Sequence, residues 1–529
     1  MPPSFARNTI LGFVSGAAVA LSGFVGNAIT ARLLGPDNLG IYAYVVLCVT
    51  VASTIAALGM DLVQQRFIPN LRAEGRDAEA DGLIGATTRL SMAAAFIAGL
   101  LLFGYLEGPG RSVLQASSAT SRFIVIAVAL GWFICWRMAD LYLFNIRGEQ
   151  RFAEFARVSA VSAVLKVATM ALGAWIFGIP GALAGYIAAN IVPAGRMFRL
   201  LRNKPGVAPE LRREVIGFAL VSWTIALIGS LVFGRTQILF LEHYTGLAAV
   251  GLFTAAVTVA EMAAQLPPLL LSALLPRFSE QHGLQAHENM QRLYRTMTSL
   301  IAMVIVPLCL TLAAVAPVLL PLVFGADFAD AVPAASVLLI CAAISSLGGT
   351  TLYLILSVGK TGLLLISNAV GLAGTVALGF LLIPRFGLMG AAWSRGTIQV
   401  IVIVLETALA AVRLGVAPSY RALGAITLAS VAGGGVAYAA VTEVGGAKSL
   451  LIAVPAAVVT YLIALRVLAV VRMVAPELND KLLEHAPESM KPAARLVLKL
   501  VSPPARGTTT PRSCPNCGGP TPSSNAVSG

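Results

Sequence analysis

Nine ionisable residues stand inside long apolar stretches of this chain, where a charge is costly to place. Arg137 has Asp140 three residues on, on the same helix face, so the two can pair within one turn. Lys166 has no acidic neighbour in its own stretch. Arg235 and Arg395 lie toward one end of theirs, Glu261 is central in its own, and Asp61 lies nearer an end, as do Glu406 and Arg466. A charge at membrane depth costs about 2.5–3.5 kcal/mol on insertion scales, which makes each a candidate for function. The chemistry open to such a set is electrostatic. Arg137, Lys166, Arg235 and Arg395 can attract an anion, and a guanidinium binds phosphate bidentately. Asp61, Asp140 and Glu261 can balance those cations or carry a coupling ion. Plainer readings stand beside these: Arg137 with Asp140 as a structural pair, Arg235 and Arg395 reaching to an interface, and Glu261 neutralising a cation.

No catalytic set accompanies them. His243, His282, His287 and His485 are the four histidines, and none lies in a metalloprotease-like or nucleophile-elbow motif. Neither a cofactor nor a metal is expected. Cys48, Cys135, Cys309 and Cys341 stand singly in apolar stretches as small core residues. Cys514-Pro-Asn-Cys517 resembles one knuckle of a zinc ribbon, but a structural zinc needs four ligands and the tail offers two.

The elements that must position these residues are membrane helices. Of 529 residues 57% are hydrophobic and 12% charged, about half the charge of a soluble protein. Apolar runs of bilayer length recur from Asn8 to Arg472. The sequence predicts an all-α polytopic membrane protein with about fourteen spans, near 9–32, 40–66, 85–106, 122–146, 153–177, 181–202, 215–240, 249–275, 292–316, 332–357, 362–383, 389–412, 419–442 and 449–472. The stretch Pro317–Asp330 is too short to span and reads as a re-entrant or interfacial piece. The first run exceeds a usual signal-peptide core and continues into a second span, so it is expected to stay as an uncleaved helix.

Net charge is +13, yet the basic residues lie in short loops rather than on one soluble face, which argues against a nucleic-acid partner. Their alternation between successive loops places both termini in the cytoplasm of a cell inner membrane. Connections on the other side are all short, so a large external domain is excluded. After Arg472 an amphipathic surface helix is expected over 476–501 and disorder from Ser502.

Sliding the chain by 211 residues brings Gly40 onto Gly251, Tyr42 onto Phe253, Arg66-Phe67 onto Arg277-Phe278 and Leu141-Tyr-Leu143 onto Leu352-Tyr-Leu354. At 209 residues Phe177-Gly178 meets Phe386-Gly387. The expected organisation is therefore an N-terminal bundle (1–212, spans 1–6), a repeat-related bundle (213–414, spans 7–12), spans 13–14 (415–474) and a cytoplasmic tail (475–529). Gly433-Gly-Gly435 in span 13 suits close helix approach.

Ala31-Arg-Leu-Leu-Gly-Pro, Gly40-Ile-Tyr and Leu58-Gly-Met-Asp-Leu-Val-Gln-Gln-Arg-Phe-Ile-Pro-Asn-Leu71 resemble the start of polysaccharide flippases. These belong to the multidrug/oligosaccharidyl-lipid/polysaccharide superfamily with its MATE-like fold. The resemblance covers the chain to about Arg472. It implies a flippase, not an enzyme, that carries a polyprenyl-pyrophosphate-linked oligosaccharide across the bilayer for exopolysaccharide or lipopolysaccharide synthesis. Alternating access of two bundles, coupling to H+ or Na+, and a neighbouring polysaccharide polymerase machinery come with it. On that reading Arg137, Lys166, Arg235 and Arg395 line the cleft between the halves. The rivals are a MATE-type drug or cation antiporter, which an acid-lined cleft would favour, and a membrane polymerase or ligase, which the short loops disfavour.

Overall fold

A computed structural model describes residues 3–114, 119–265 and 286–468, with isolated residues between 274 and 284 and at 470. Helices dominate, and no strand occurs among the described residues. The tail 475–529, with its expected amphipathic helix and Cys514 and Cys517, lies outside them, as do Arg277 and Pro267-Pro268.

Eleven helices among the described residues are long and apolar enough to cross a membrane. Two are double crossings. Helix Pro3–Ala57 breaks at Gly35, with φ 72° and ψ 175°. Tyr42 Oη donates to Asn27 Oδ1 at 3.3 Å, although 15 residues of straight helix would part them by about 22 Å. Helix Gly362–Leu414 breaks likewise at Gly387, with φ 53° and ψ −126°. There Ser367 Oγ donates to Glu406 Oε1 at 2.9 Å across 39 residues, about 58 Å of straight helix. Helix Ile179–Met197, of 19 residues with Asn190 and Arg196 in it, supplies the last crossing. The fourteen expected spans are thus all present.

Large side chains face outward all round: Trp175 is 73% exposed, Phe177 69% and Leu451 78%. In water such a belt would aggregate; in a bilayer it meets lipid. The protein is a multipass membrane protein.

The repeat is visible in the backbone. Gly35 and Gly246, 211 apart, turn their hairpins with φ 72° and 90°. Gly178 and Gly387, 209 apart, do so with φ 62° and 53°. All four lie in the left-handed region, where any side chain is strained. By the count of crossings they share one side of the bilayer, here called the corner side. Arg66, Arg72, Arg147 and Arg196 mark the opposite, basic side.

The two halves meet at the corner side through glycines. A Cβ on Gly40 would lie 2.1 Å from Leu247 O, and one on Gly251 would lie 1.9 Å from Pro36 O. The shift of 211 carries Gly40 onto Gly251 and Pro36 onto Leu247, so one contact is made twice about a common axis.

Span 9 corrects one expectation. Helix His287–Phe324 runs unbroken for 38 residues through Pro307, Pro317 and Pro321. Leu319–Phe324 is its last turn and a half, not a separate re-entrant piece, and a short 3-10 turn follows at Ala326–Ala331. Spans 13 and 14 pack on span 9, where Tyr461 Oη donates to Met303 O at 2.7 Å. Gly433 does allow close approach there, since its Cβ would stand 2.9 Å from Ala457 O.

Candidate functional site

Span 7 is not continuous. Helices Pro209–Phe233 and Gln237–Thr245 are separated by residues 234–236, in the middle of an apolar run. A break at membrane depth frees carbonyls that lipid cannot satisfy. Two side chains meet that need. Thr236 Oγ1 donates to Leu231 O at 2.7 Å, and the Arg395 guanidinium from span 12 donates to Gly234 O.

Arg235 lies in the break itself. Its Nη2 is 2.7 Å from Glu261 Oε2, while Arg395 Nη2 is 3.1 Å from Glu261 Oε1. Among the described residues, one carboxylate of span 8 thus serves two guanidiniums and leaves positive charge in surplus. Burial raises the cost of that surplus, which an incoming anion would relieve.

A cavity of about 390 Å³ opens onto this cluster, lined by Arg147, Arg235, Glu261, Asn27, Thr258 and Gln265 among others. Span 1 forms one wall, and spans 7 and 8 form the other, so the cavity lies between the halves. Arg147 and Phe155 mark its basic-side end. The Arg147 guanidinium stacks 4.1 Å from the Phe155 ring centroid and has no ion pair among the described residues.

A second cavity, of about 370 Å³, lies within the first half, lined by Lys166, Asp140, Trp132, Trp136, Tyr186 and Asn190 among others. Lys166 Nζ stands 4.5 Å from the Tyr186 ring centroid. Val19 of span 1 lines both cavities.

The four expected cations therefore fall in four places, and only two of them line a cavity. Arg235 lines the cavity between the halves, and Lys166 lines the cavity beside it. Arg395 is 4% exposed and sits behind Glu261, holding the break. Arg137 is 2% exposed and paired twice, with Nη2 3.2 Å from Asp61 Oδ1 and Nη1 3.2 Å from Asp140 Oδ2. That triad fastens helix Met60–Ala73, the extension of span 2, to span 4. Spacing finds the Asp140 partner, but Asp61 is 76 residues away and carries no sequence signal of the pairing. Ten residues past Arg137, Arg147 reads in the sequence as one more basic residue at the end of a span.

The opposite flank of the halves is closed toward the basic side, and an apolar cavity of about 360 Å³ lined by Leu47, Val51, Leu102 and Leu239 among others remains nearer the corner side. Phe67 and Phe218 meet edge to face, with centroids 5.8 Å apart. A Cβ on Gly59 would stand 2.3 Å from Ala219 O. Trp223 Nε1 donates to Thr54 O at 3.1 Å, and the exposed pair Arg66–Glu214 closes the basic end at 3.8 Å.

Comparison with solved structures finds the same fold in the lipid II flippase MurJ in an inward closed conformation, with a TM-score of 0.70 and 12% identity, covering 87% of this chain and 98% of that one. An inward-facing multidrug resistance MATE family transporter of the MOP superfamily matches with a TM-score of 0.59 and 17% identity, covering 77% and 94%. A MOP superfamily transporter from Pyrococcus furiosus matches with a TM-score of 0.57 and 14% identity, covering 78% and 95%. At such identities the likeness is one of fold. No curated protein matches the sequence. The family model described as polysaccharide biosynthesis protein matches residues 5–282, and since that is more than half of the chain, the chain belongs to the polysaccharide biosynthesis protein family.

Proposed function

We propose that this protein is a flippase that moves a polyprenyl-pyrophosphate-linked oligosaccharide across the cytoplasmic membrane for exported polysaccharide synthesis. The observation that carries the reading is the cavity between the halves. It holds Arg147 and Arg235 against one carboxylate, Glu261, which Arg395 already shares. A pyrophosphate supplies the negative charge this cavity lacks, and guanidiniums bind it in bidentate fashion.

The basic side faces the cytoplasm on the positive-inside argument, with both termini there. Bundles 1–212 and 213–414 act as the two moving bodies, with 415–474 carried on the second. Cargo enters with its glycan in the cavity and its polyprenyl tail left in lipid. Opening of the corner side then releases the glycan outward, toward a polymerase machinery. No bond of the cargo is made or broken, so the protein acts as a transporter and not as an enzyme. A drug or cation antiporter would gain nothing from a cavity with surplus positive charge, which places that reading second.

The test uses full-length protein in liposomes and a fluorescent polyprenyl-pyrophosphate saccharide whose outer-leaflet fraction is read by dithionite quenching. Wild-type protein should translocate it, and Arg235→Ala should slow this at least about tenfold, for loss of a charge-assisted contact of about 1.5–3 kcal/mol. Normal translocation by both Arg235→Ala and Lys166→Ala would refute the cationic-cavity mechanism.

A further inference from the structure

The cavity inside the first half is built unlike the one between the halves. Its wall is a ladder of parallel rings. Trp132 and Trp136 stack with centroids 5.6 Å apart and 8° between planes. Trp132 and Tyr186 stack at 4.2 Å and 20°. Trp132 is 2% exposed, whereas Trp136 at the end of the ladder is only half-buried and lines the cavity.

The polar groups there are partly unspent. Trp132 Nε1 is buried with no acceptor among the described residues, a cost of about 1–3 kcal/mol unless something supplies one. Asn190 Nδ2 donates to Tyr186 O at 2.8 Å, which leaves its side-chain oxygen for another partner. Lys166 has a cation–π contact with Tyr186 and no ion pair among the described residues. Asp140, on the same wall, is committed to Arg137. One cation, one amide oxygen and an aromatic wall therefore line the same cavity, with an unspent indole N–H buried in that wall.

We propose that this cavity is the subsite for the first sugar of the cargo, and that this sugar is a pyranose carrying an anionic substituent. The proposal rests on the flippase reading above. The C–H face of a pyranose carries partial positive charge and suits the negative face of an indole ring. A ring hydroxyl can donate to the Asn190 side-chain oxygen, and a carboxylate on the sugar pairs with Lys166. Position agrees with chemistry, because the first sugar is bonded directly to the pyrophosphate. The two sites must adjoin, and they share Val19.

The test uses the full-length protein in nanodiscs and three probes: methyl β-D-glucuronide, methyl β-D-glucoside and inorganic pyrophosphate. Saturation-transfer NMR reads the sugars and calorimetry reads pyrophosphate, with each variant first shown to be monodisperse. The glucuronide should bind, weaken about three- to tenfold in Trp136→Leu, and recover in Trp136→Phe, which restores a ring face. Lys166→Gln should weaken the glucuronide about tenfold and leave the neutral glucoside unchanged. Pyrophosphate should be insensitive to Trp136→Leu and sensitive to Arg235→Ala. Unchanged glucuronide binding in Trp136→Leu overturns the subsite, and so does a Lys166→Gln effect on pyrophosphate alone. Glucoside binding as tight as glucuronide overturns the anionic assignment. Failure of wild-type protein to bind pyrophosphate would instead count against the flippase reading, independently of what the sugars do.

Discussion

Two flanks join the halves, and the internal repeat exchanges them. On one, span 2 with its extension packs on span 7; on the other, span 8 faces span 1. In a perfectly repeated chain the two would be alike. Here the first is closed by Phe67 on Phe218, by Gly59 against Ala219 and by the Trp223 bond to Thr54. The second holds a cavity of about 390 Å³. The shift of 211 locates the difference: Arg235 falls on Phe24 and Glu261 on Thr50. The flank that carries the ion cluster holds a cavity with charged walls, whereas the one without it is closed by apolar packing at its basic end and leaves only a cavity with apolar walls, of about 360 Å³, beside Leu239. Charge at membrane depth thus both marks the site and keeps the walls from closing over it, since closure would strip the guanidiniums of solvent.

That comparison can be attacked in order of expected effect. With Cys48, Cys135, Cys309, Cys341, Cys514 and Cys517 replaced by serine, Phe67→Cys with Phe218→Cys should cross-link under mild oxidant and stop transport until a reductant is added. Val19→Cys with Met262→Cys, across the cavity, should cross-link at least about tenfold more slowly, because a disulfide requires Cα atoms within roughly 7 Å. Equal rates on both flanks would break the comparison. Gly40→Leu should come next. It forces a side chain against the Leu247 carbonyl, an overpacking cost of about 1–3 kcal/mol. The corner side should open, and Phe253→Cys, fully buried at 0% exposure, should become reactive to an impermeant maleimide. Trp223→Phe removes one part-buried cross-flank hydrogen bond, about 0.5–1.5 kcal/mol, and should raise the fraction of protein open on that flank several-fold by fluorescence ratio. The smallest effect belongs to Arg66→Ala. Its pair with Glu214 is exposed and long, so thermal stability should change by no more than about 1 kcal/mol.

The spans, the hairpin glycines and the repeat were legible because they depend on local chemistry that recurs at fixed spacing. Gly35 and Gly246 announce themselves twice, and so do Gly178 and Gly387. The span 9 extension was misread because Pro317 and Pro321 signal a stop in water, whereas a membrane helix packed on neighbours tolerates them. The break in span 7 was written as Gly234-Arg-Thr236, yet the apolar run on both sides hid it. Partners distant in sequence were beyond reach. Asp61 finds Arg137, and Arg395 finds Gly234 O, only through the packing of separate spans. Arg147 looked like any loop arginine until the walls of a cavity were assembled around it.

Arg32 has a consequence of its own. At the sequence level it reads as an anchor for the end of span 1. In the fold its Nη2 donates to Leu322 O at 2.8 Å, in the last turn of span 9, so it ties the first half to the second at the corner side. The bond joins a cation to the negative end of a helix dipole, an interaction of about 0.3–1 kcal/mol when exposed and screened by salt. Beside it the close glycine contacts are flanked by buried side chains of both halves, Leu39 and Phe253 among them, and Phe24 meets Phe324 edge to face at 6.3 Å. The closed state on that side thus combines apolar packing with one exposed, salt-sensitive tie. Raising the ionic strength of the medium bathing the corner side should ease its opening, so external salt becomes a throttle on the turnover of the protein.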